Sequence, residues 1–180
     1  MNSFMTPTVQ KWGFALFFLL GATILMKGYE QFAPFGVRYV FTDSIPTGLY
    51  GSMTYNRTPL ARGQGVCFRI APQGWVADRG YFSPGESVCK FVLGVPGDEV
   101  RPAGDHVNIC YQGLCQSAGA VLATDTKGRS TKGAFAVPTV IPEGQYYLGS
   151  TYHPRSFDSR YLGLIDASTI AVRTWPLWTK

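Results

Sequence analysis

The chain has 180 residues, with 16 Lys and Arg against 11 Asp and Glu, a formal net charge of +5, 46% apolar residues and 14% aromatic residues. This apolar content is typical of a chain that buries a core, which excludes a disordered tail or linker. The 21 Gly and 12 Pro disfavour an all-helical bundle. The basic residues are scattered singly and match no nucleic-acid-binding motif, so we expect no nucleic-acid partner.

Residues 12–26 form an uncharged run, WGFALFFLLGATILM, between Lys11 and Lys27. As a helix they span about 22 Å, short of a bilayer core of about 30 Å unless the flanking residues contribute. A buried core helix and a cleavable signal peptide are the alternatives, but no small-residue cleavage site follows the run. We therefore predict a retained transmembrane helix, with the anchor in residues 1–35 and one domain in residues 36–180.

Short β-rich runs recur after the anchor, separated by Gly and Pro. Several alternate apolar and polar residues, as half-buried antiparallel strands require. Residues 75–81 differ and predict a short helix or a loop. The predicted fold class is therefore mainly β, a single antiparallel β domain behind an N-terminal transmembrane helix. The predicted strands cover residues 37–42, 49–55, 65–70, 88–95, 106–111, 145–149 and 169–175.

Four cysteines bear on the cellular compartment. Residues 107–116, VNICYQGLCQ, predict a hairpin with a Gln-Gly turn, which makes Cys110 and Cys115 an opposed pair close enough for a disulfide. Cys67 and Cys89 are then left to each other, and paired cysteines are typical of an oxidising compartment outside the cytoplasm. Free buried thiols and a zinc site are the alternatives, but no Cys-x-x-Cys occurs and neither His stands at a ligand spacing.

A serine nucleophile needs a base, and the sequence offers two arrangements. His153 lies before Asp158, which allows a Ser-His-Asp triad. A histidine in a polar stretch before a proline is, however, usually a solvated side chain. The second arrangement begins at Ser44, in SIPTGLY, where an apparent strand ends just before a Pro/Gly turn. Such a position exposes a hydroxyl on a fixed backbone.

Lys90 is the candidate base of the second arrangement, because it carries the only charge in residues 87–97. Apolar surroundings disfavour the charged form of a lysine and lower its pKa toward a value at which it accepts a proton. An ordinary lysine on an edge strand is the alternative interpretation.

Three motifs in this order resemble the type I signal peptidases, which are membrane-anchored serine proteases with a Ser/Lys dyad and a mostly β fold. They are Ser44 before its Pro-x-Gly turn, Lys90 leading into Gly-Val-Pro-Gly-Asp, and SFDSRYLG at residues 156–163. The resemblance runs from about residue 36 to 178. Within that family the sequence most resembles the conjugative-transfer branch, the TraF-like peptidases that mature pilin precursors. The motifs that carry this closer resemblance are SIPTGLY, Arg-Gly-Tyr at 79–81 and Pro-Leu-Trp at 176–178.

The resemblance implies roles for individual residues. Ser44 would attack the scissile carbonyl and neutral Lys90 would take its proton. The backbone N–H of Ser44 would donate to the oxyanion, and Thr42 would give a second donor; an ordinary strand threonine is the alternative for Thr42.

Further support residues follow from the third motif. Ser156 matches the serine that aims the lysine, and Asp158 and Arg160 match an acid and a base that hold the region together. Signal peptidases usually carry Arg after the lysine and Gly-Asp-Asn before the third motif. Phe91 and Gly-Ser-Thr at 149–151 stand here instead, which favours a specialised peptidase over a housekeeping one.

The resemblance therefore implies a membrane-anchored serine endopeptidase on the bacterial inner membrane, with its catalytic domain in the periplasm and no metal or organic cofactor. Its partners would be membrane lipid, an exported pilin-like precursor cut after a small residue, and other conjugation or secretion components. A substrate amine in place of water would cyclise the pilin. A general type I signal peptidase and a non-catalytic β module of a conjugation apparatus are the alternatives.

Overall fold

The computed structural model describes residues 12, 14, 16–25, 35–83 and 85–180. The chain divides into an N-terminal unit, Met1–Pro34, and a second unit, Phe35–Lys180. The described residues of the N-terminal unit are helical. None of the helices in the described part of the chain is long and apolar enough to cross a bilayer. The charged flanks of the predicted anchor, Lys11 and Lys27, lie outside the described residues.

The second unit consists mainly of short strands, because β-branched and aromatic runs alternate with turns that contain Gly or Pro. Two short helices, Gly74–Asp78 and Ser159–Leu162, and a 3-10 helix, Ala167–Thr169, interrupt the strands. The strands are β1 Phe35–Val40, β2 Gly48–Thr54, β3 Gly65–Arg69, β4 Ser87–Gly94, β5 Glu99–Ala103, β6 His106–Tyr111, β7 Leu114–Ala120, β8 Thr139–Val140, β9 Gln145–Gly149, β10 Ile165–Asp166 and β11 Ile170–Thr179.

These strands form two sheets, and every strand pair among the described residues is antiparallel. Seven strands lie in the order β1-β2-β11-β3-β4-β9-β10, and four lie in the order β7-β6-β5-β8. Strand β4 lies between β3 and β9. The middle of β4 therefore lies close to the segment that follows β9.

The mainly antiparallel β fold agrees with the sequence prediction, although strands β5, β8 and β10 were not predicted and some strand ends differ. Residues 106–111 and 145–149 are strands with the predicted bounds. The first strand ends at Val40, so Thr42 lies in the bend that follows and not in the strand. The last strand continues to Thr179, because β11 stays paired with β2 through an irregularity near Pro176.

Buried apolar side chains form three clusters, and a fully buried aliphatic side chain contributes about 1.5–3 kcal/mol. The first cluster lies mainly on β3, β4 and β9, with Val66, Phe68, Val92 and Leu148 at its centre. The second joins the four-stranded sheet to β9 and contains Val100, Val107, Ile109, Ala118, Ile141 and Tyr147. The third contains Val40, Ile45 and Tyr50, with Cys89 and Phe91 packed against them.

Both predicted disulfides are present. Cys110 and Cys115 are opposed in the β6–β7 hairpin and Cys67 and Cys89 are opposed between β3 and β4, each pair with a Cα separation of 4.0 Å. The turn residue Gln112 and the glycine after it both have positive φ, as a two-residue hairpin turn requires. All four cysteines are consumed, so the zinc and free-thiol alternatives are wrong.

Candidate active site

Ser44 lies in the bend between β1 and β2 and is half-buried. The bend is fixed from three sides. The next side chain, Ile45, is fully buried in the third apolar cluster. The Tyr50 hydroxyl donates to the Pro46 carbonyl over 2.7 Å, and the Lys180 N–H donates to the Thr47 carbonyl over 3.0 Å. The backbone that carries the Ser44 hydroxyl is therefore held rigidly.

Lys90 lies in the middle of β4, opposite Val66 of β3, and its side chain is 4% exposed. Burial lowers its pKa to about 8 from the ordinary lysine value; the negative charge of Asp158 opposes the shift and the positive charge of Arg160 adds to it. Among the described residues, no carboxylate lies within 4.0 Å of the Lys90 amine. Lys90 is a buried amine near Asp158 and Arg160, and not one half of an ion pair.

Ser156 brings the segment after β9 to Ser44. Its hydroxyl donates to the Ser44 hydroxyl over 3.4 Å, although 112 residues separate the two serines in the chain. Ser156 is itself 3% exposed. Its N–H donates to the His153 carbonyl, and its carbonyl accepts a 2.8 Å hydrogen bond from the Arg160 guanidinium. The two serine hydroxyls therefore lie together, whereas a hydrogen bond from Ser156 to Lys90, which the resemblance implies, is not found among the described residues.

Asp158 and Arg160 form a buried ion pair beside this contact. The guanidinium donates to both carboxylate oxygens of Asp158, over 2.9 Å each, and both residues are almost fully buried. It also donates to the carbonyls of Pro154 and of Ala120, at the end of β7. Asp158 begins the helix Ser159–Leu162 by accepting the Arg160 N–H. The pair links β7, the loop after β9 and the backbone of Ser156.

Sequence analysis did not identify two residues that contribute to this network. Gly119 has a φ of +105°, and a Cβ added there would lie 2.7 Å from the Arg160 guanidinium, so only glycine leaves room for that side chain. Ser150 is buried, and its N–H donates to Asp158 over 3.2 Å. The sequence offered one signal for Ser150, because it lies in the Gly-Ser-Thr segment that departs from the usual motif. It offered no signal for Gly119, because the residue that Gly119 contacts lies far along the chain.

Two other predicted residues are not part of this network in the described structure. Thr42 is exposed in the bend before Ser44. The ring of His153 accepts the Arg155 N–H over 3.2 Å, while the carboxylate of Asp158 is occupied by Arg160 and Ser150. The alternative Ser-His-Asp triad is therefore not assembled. Among the described residues, no cluster of His, Cys, Asp and Glu could hold a metal ion.

Comparison with known proteins identifies the family of this chain. The family described as signal peptidase, peptidase S26, matches residues 9–178. The chain belongs to this family. It is 31% identical over 170 residues to a plasmid transfer protein TraF of Escherichia coli, covering 88% of this chain and 91% of that protein. A second Escherichia coli plasmid transfer protein TraF is 30% identical over 154 residues, covering 80% and 83%.

A solved signal peptidase I from Enterococcus faecalis V583 is also similar to this S26 family chain. It is 22% identical, and the match covers 63% of this chain and 94% of that one with a TM-score of 0.35.

In this S26 family chain an aromatic cluster supports the segment that carries Ser156. Phe157 stacks on Tyr81 and Tyr161, with ring centroids 4.8 and 4.7 Å away, and meets Trp75 and Phe82 at wider angles. Such ring pairs add about 0.5–1.5 kcal/mol each beyond their buried area. The cluster ties the loop after β9 to the region of the helix Gly74–Asp78.

Proposed function

We propose that this chain is a membrane-anchored serine endopeptidase in which Ser44 and Lys90 form a catalytic dyad. The proposal rests on one arrangement: the Ser44 hydroxyl contacts the Ser156 hydroxyl at 3.4 Å, while the buried Lys90 near the same segment has a pKa of about 8. A lysine with that pKa is neutral in about one molecule in ten at pH 7. That fraction is sufficient for a general base.

The proposed reaction is acyl transfer through Ser44. The Ser44 Oγ attacks the scissile carbonyl carbon while its proton passes to the Lys90 amine. The tetrahedral intermediate then collapses to an ester, and Lys90 gives the proton to the leaving amine. Water repeats the sequence and frees the serine. The Ser156 hydroxyl holds the Ser44 Oγ in position, and the N–H of Ser44, with Thr42 as the second donor, stabilises the oxyanion.

The ion pair of Asp158 with Arg160 supports this role for Lys90. A lone buried carboxylate near Lys90 would stabilise the ammonium form and raise the pKa of the lysine. Because Arg160 neutralises Asp158, burial remains the dominant influence and the pKa stays low. The ion pair thus holds the backbone of Ser156 in place without raising the pKa of Lys90.

Three observations support an inner-membrane location with the domain in the periplasm. Residues 12–26 are uncharged and largely apolar, two disulfides favour an oxidising compartment, and one edge of the seven-stranded sheet exposes apolar side chains. We call that edge the apolar face, and it comprises Phe35, Val37, Tyr39, Phe41, Trp175, Leu177 and Trp178. Contiguous exposed patches of this kind, rich in Trp and Tyr, are typical of surfaces that meet lipid or protein.

The relatives give the proposed substrate its class. Because two similar proteins are named plasmid transfer proteins, we assign this chain to conjugation and its substrate to an exported, pilin-like precursor. The acyl-enzyme at Ser44 allows either water or a substrate amine to complete the reaction, the second giving a cyclic product.

Incubating the full-length protein with candidate pilin precursors, followed by mass spectrometry, tests the function. Ser44→Ala and Lys90→Met should each lower precursor cleavage by roughly 10³-fold or more, since the two residues act as a unit. The exposed residues Ser130 and Lys132 provide matched controls, and Ser130→Ala and Lys132→Met should cleave normally. Normal cleavage by Ser44→Ala would favour the non-catalytic module, and a mild defect in Lys90→Met would require another base.

A further inference from the structure

Tyr152 is an exposed aromatic residue beside the candidate active site. Its side chain is 62% exposed, and its ring centroid lies 5.8 Å from that of Phe91, the residue after Lys90. The ring therefore covers the strand position next to the candidate base while leaving most of its own surface in solvent.

The same ring is also linked to the bend that carries Ser44. Its neighbour Phe91 packs against the third apolar cluster, which contains Ile45 and Tyr50. Tyr50 in turn donates to the Pro46 carbonyl, two residues after Ser44. Through Phe91, Tyr152 therefore lies beside the cluster that holds the Ser44 bend.

The backbone of Tyr152 is fixed, unlike that of most exposed loop residues. Its N–H donates to the Ser150 hydroxyl over 3.1 Å, and the Ser150 N–H donates to Asp158. The loop that presents the ring is therefore tied to the carboxylate that also holds Arg160. A large aromatic surface presented on a fixed backbone loses little entropy when a partner covers it.

We propose that Tyr152 forms one wall of the substrate cleft and packs against a large apolar side chain of the precursor close to the scissile bond. This inference rests on the proposed function and adds a preference to it. Ser44 and Ser156 supply the polar contacts at the reacting atoms, whereas Tyr152 supplies apolar area beside them. The precursor residue that fits is Leu, Met or an aromatic residue.

Synthetic fluorogenic decapeptides test this preference. Each carries Ala before the scissile bond and Ala, Leu or Phe at one flanking position at a time. For the best Leu or Phe peptide, Tyr152→Ala in the full-length protein should raise KM about tenfold with little change in kcat, because the lost contact is the same in ground and transition states. Tyr152→Phe should keep the parent KM. Tyr111→Ala, which removes an exposed tyrosine from the β6–β7 hairpin, is the matched control.

Peptide binding to the Ser44→Ala variant, measured by fluorescence anisotropy, separates this inference from the proposed function. Weaker binding in Ser44→Ala with Tyr152→Ala than in Ser44→Ala alone would support the contact, even if the parent cleaves none of the peptides. Equal binding in both, or an equal KM for the Ala, Leu and Phe peptides in the parent, would overturn the contact and leave the peptidase in place. A loss of kcat alone in Tyr152→Ala would also overturn it.

Discussion

The segment after β9 and the apolar face depart from ordinary burial in opposite directions. Residues 150–160 place polar and charged side chains in the interior, among them Ser150, Ser156, Asp158, Ser159 and Arg160. The apolar face, only a few residues from Ser44 along β1, leaves aromatic side chains in solvent. These buried polar groups are tolerated because each finds a partner within the chain, whereas the rings of the apolar face keep 40% or more of their surface in solvent. The first region satisfies its polar groups internally, and the second leaves apolar surface exposed to solvent.

Breaking the buried ion pair is expected to cause the largest change in stability. Arg160→Ala should lower the free energy of unfolding by about 3–5 kcal/mol, because it leaves the Asp158 carboxylate buried and unpaired. Urea unfolding of the full-length protein followed by circular dichroism measures this. Arg155→Ala, an exposed arginine in the same loop, should change stability by less than about 0.5 kcal/mol. Equal losses in the two variants would show that the burial of Arg160 is not what matters.

Replacing Lys90 should change the free energy of unfolding by a smaller amount and in the opposite direction. Its pKa falls from 10.5 to about 8 on folding, so the buried charge costs about 3 kcal/mol near neutral pH. Lys90→Met should therefore raise the free energy of unfolding by up to that amount while abolishing activity. The unfolded state keeps its proton between pH 8 and 10.5 whereas the folded state loses it, so the stability of the parent rises across that window. The advantage of Lys90→Met should disappear above it.

A stability of the parent that stays flat from pH 8 to 10.5, or a Lys90→Met variant that is less stable than the parent at pH 7, would contradict a desolvated lysine. Lys132→Met, at an exposed position, is the control and should show neither effect.

The apolar face should give the smallest change in stability and a clear change in lipid contact. Replacing Trp175 and Trp178 with Phe should alter the free energy of unfolding by less than about 1 kcal/mol, since the two residues are 40% and 54% exposed and Phe keeps an aromatic ring at each position. Quenching of tryptophan fluorescence by brominated lipid in anionic vesicles should fall in this double variant. Trp75→Phe, within the aromatic cluster, serves as the control. Unchanged quenching in the double variant would show that the apolar face does not contact the membrane.

The parts of the fold that sequence predicted are those with local signals. The β6–β7 hairpin follows from its Gln-Gly turn, and β9 follows from an apolar run between glycines. Strand β5 was missed because Pro102 and charged residues make Glu99–Ala103 look like the continuation of a turn. Its pairing with β6 is satisfied by tertiary contacts that no local pattern reveals.

The candidate site divides in the same way. Residues 156–163 were recognisable because they are consecutive, and the buried pairing of Asp158 with Arg160 is a contact over two positions. The contribution of Gly119 was not predictable, since it depends on a guanidinium 41 positions later that fills the space of its missing Cβ. Catalytic roles for Ser44 and Lys90 stay predictions until the variants are assayed.

The hydrogen bond from Lys180 to Thr47 has a practical meaning for anyone preparing this protein. Strand β11 runs alongside β2 until Thr179 faces Gly48, and the last N–H closes onto the bend three residues beyond Ser44. An affinity tag or fluorescent fusion joined after Lys180 would emerge beside the bend that carries Ser44, the proposed nucleophile. Under the proposed function such a tag would compete with incoming polypeptide, so kinetic work should use protein without a fusion after Lys180.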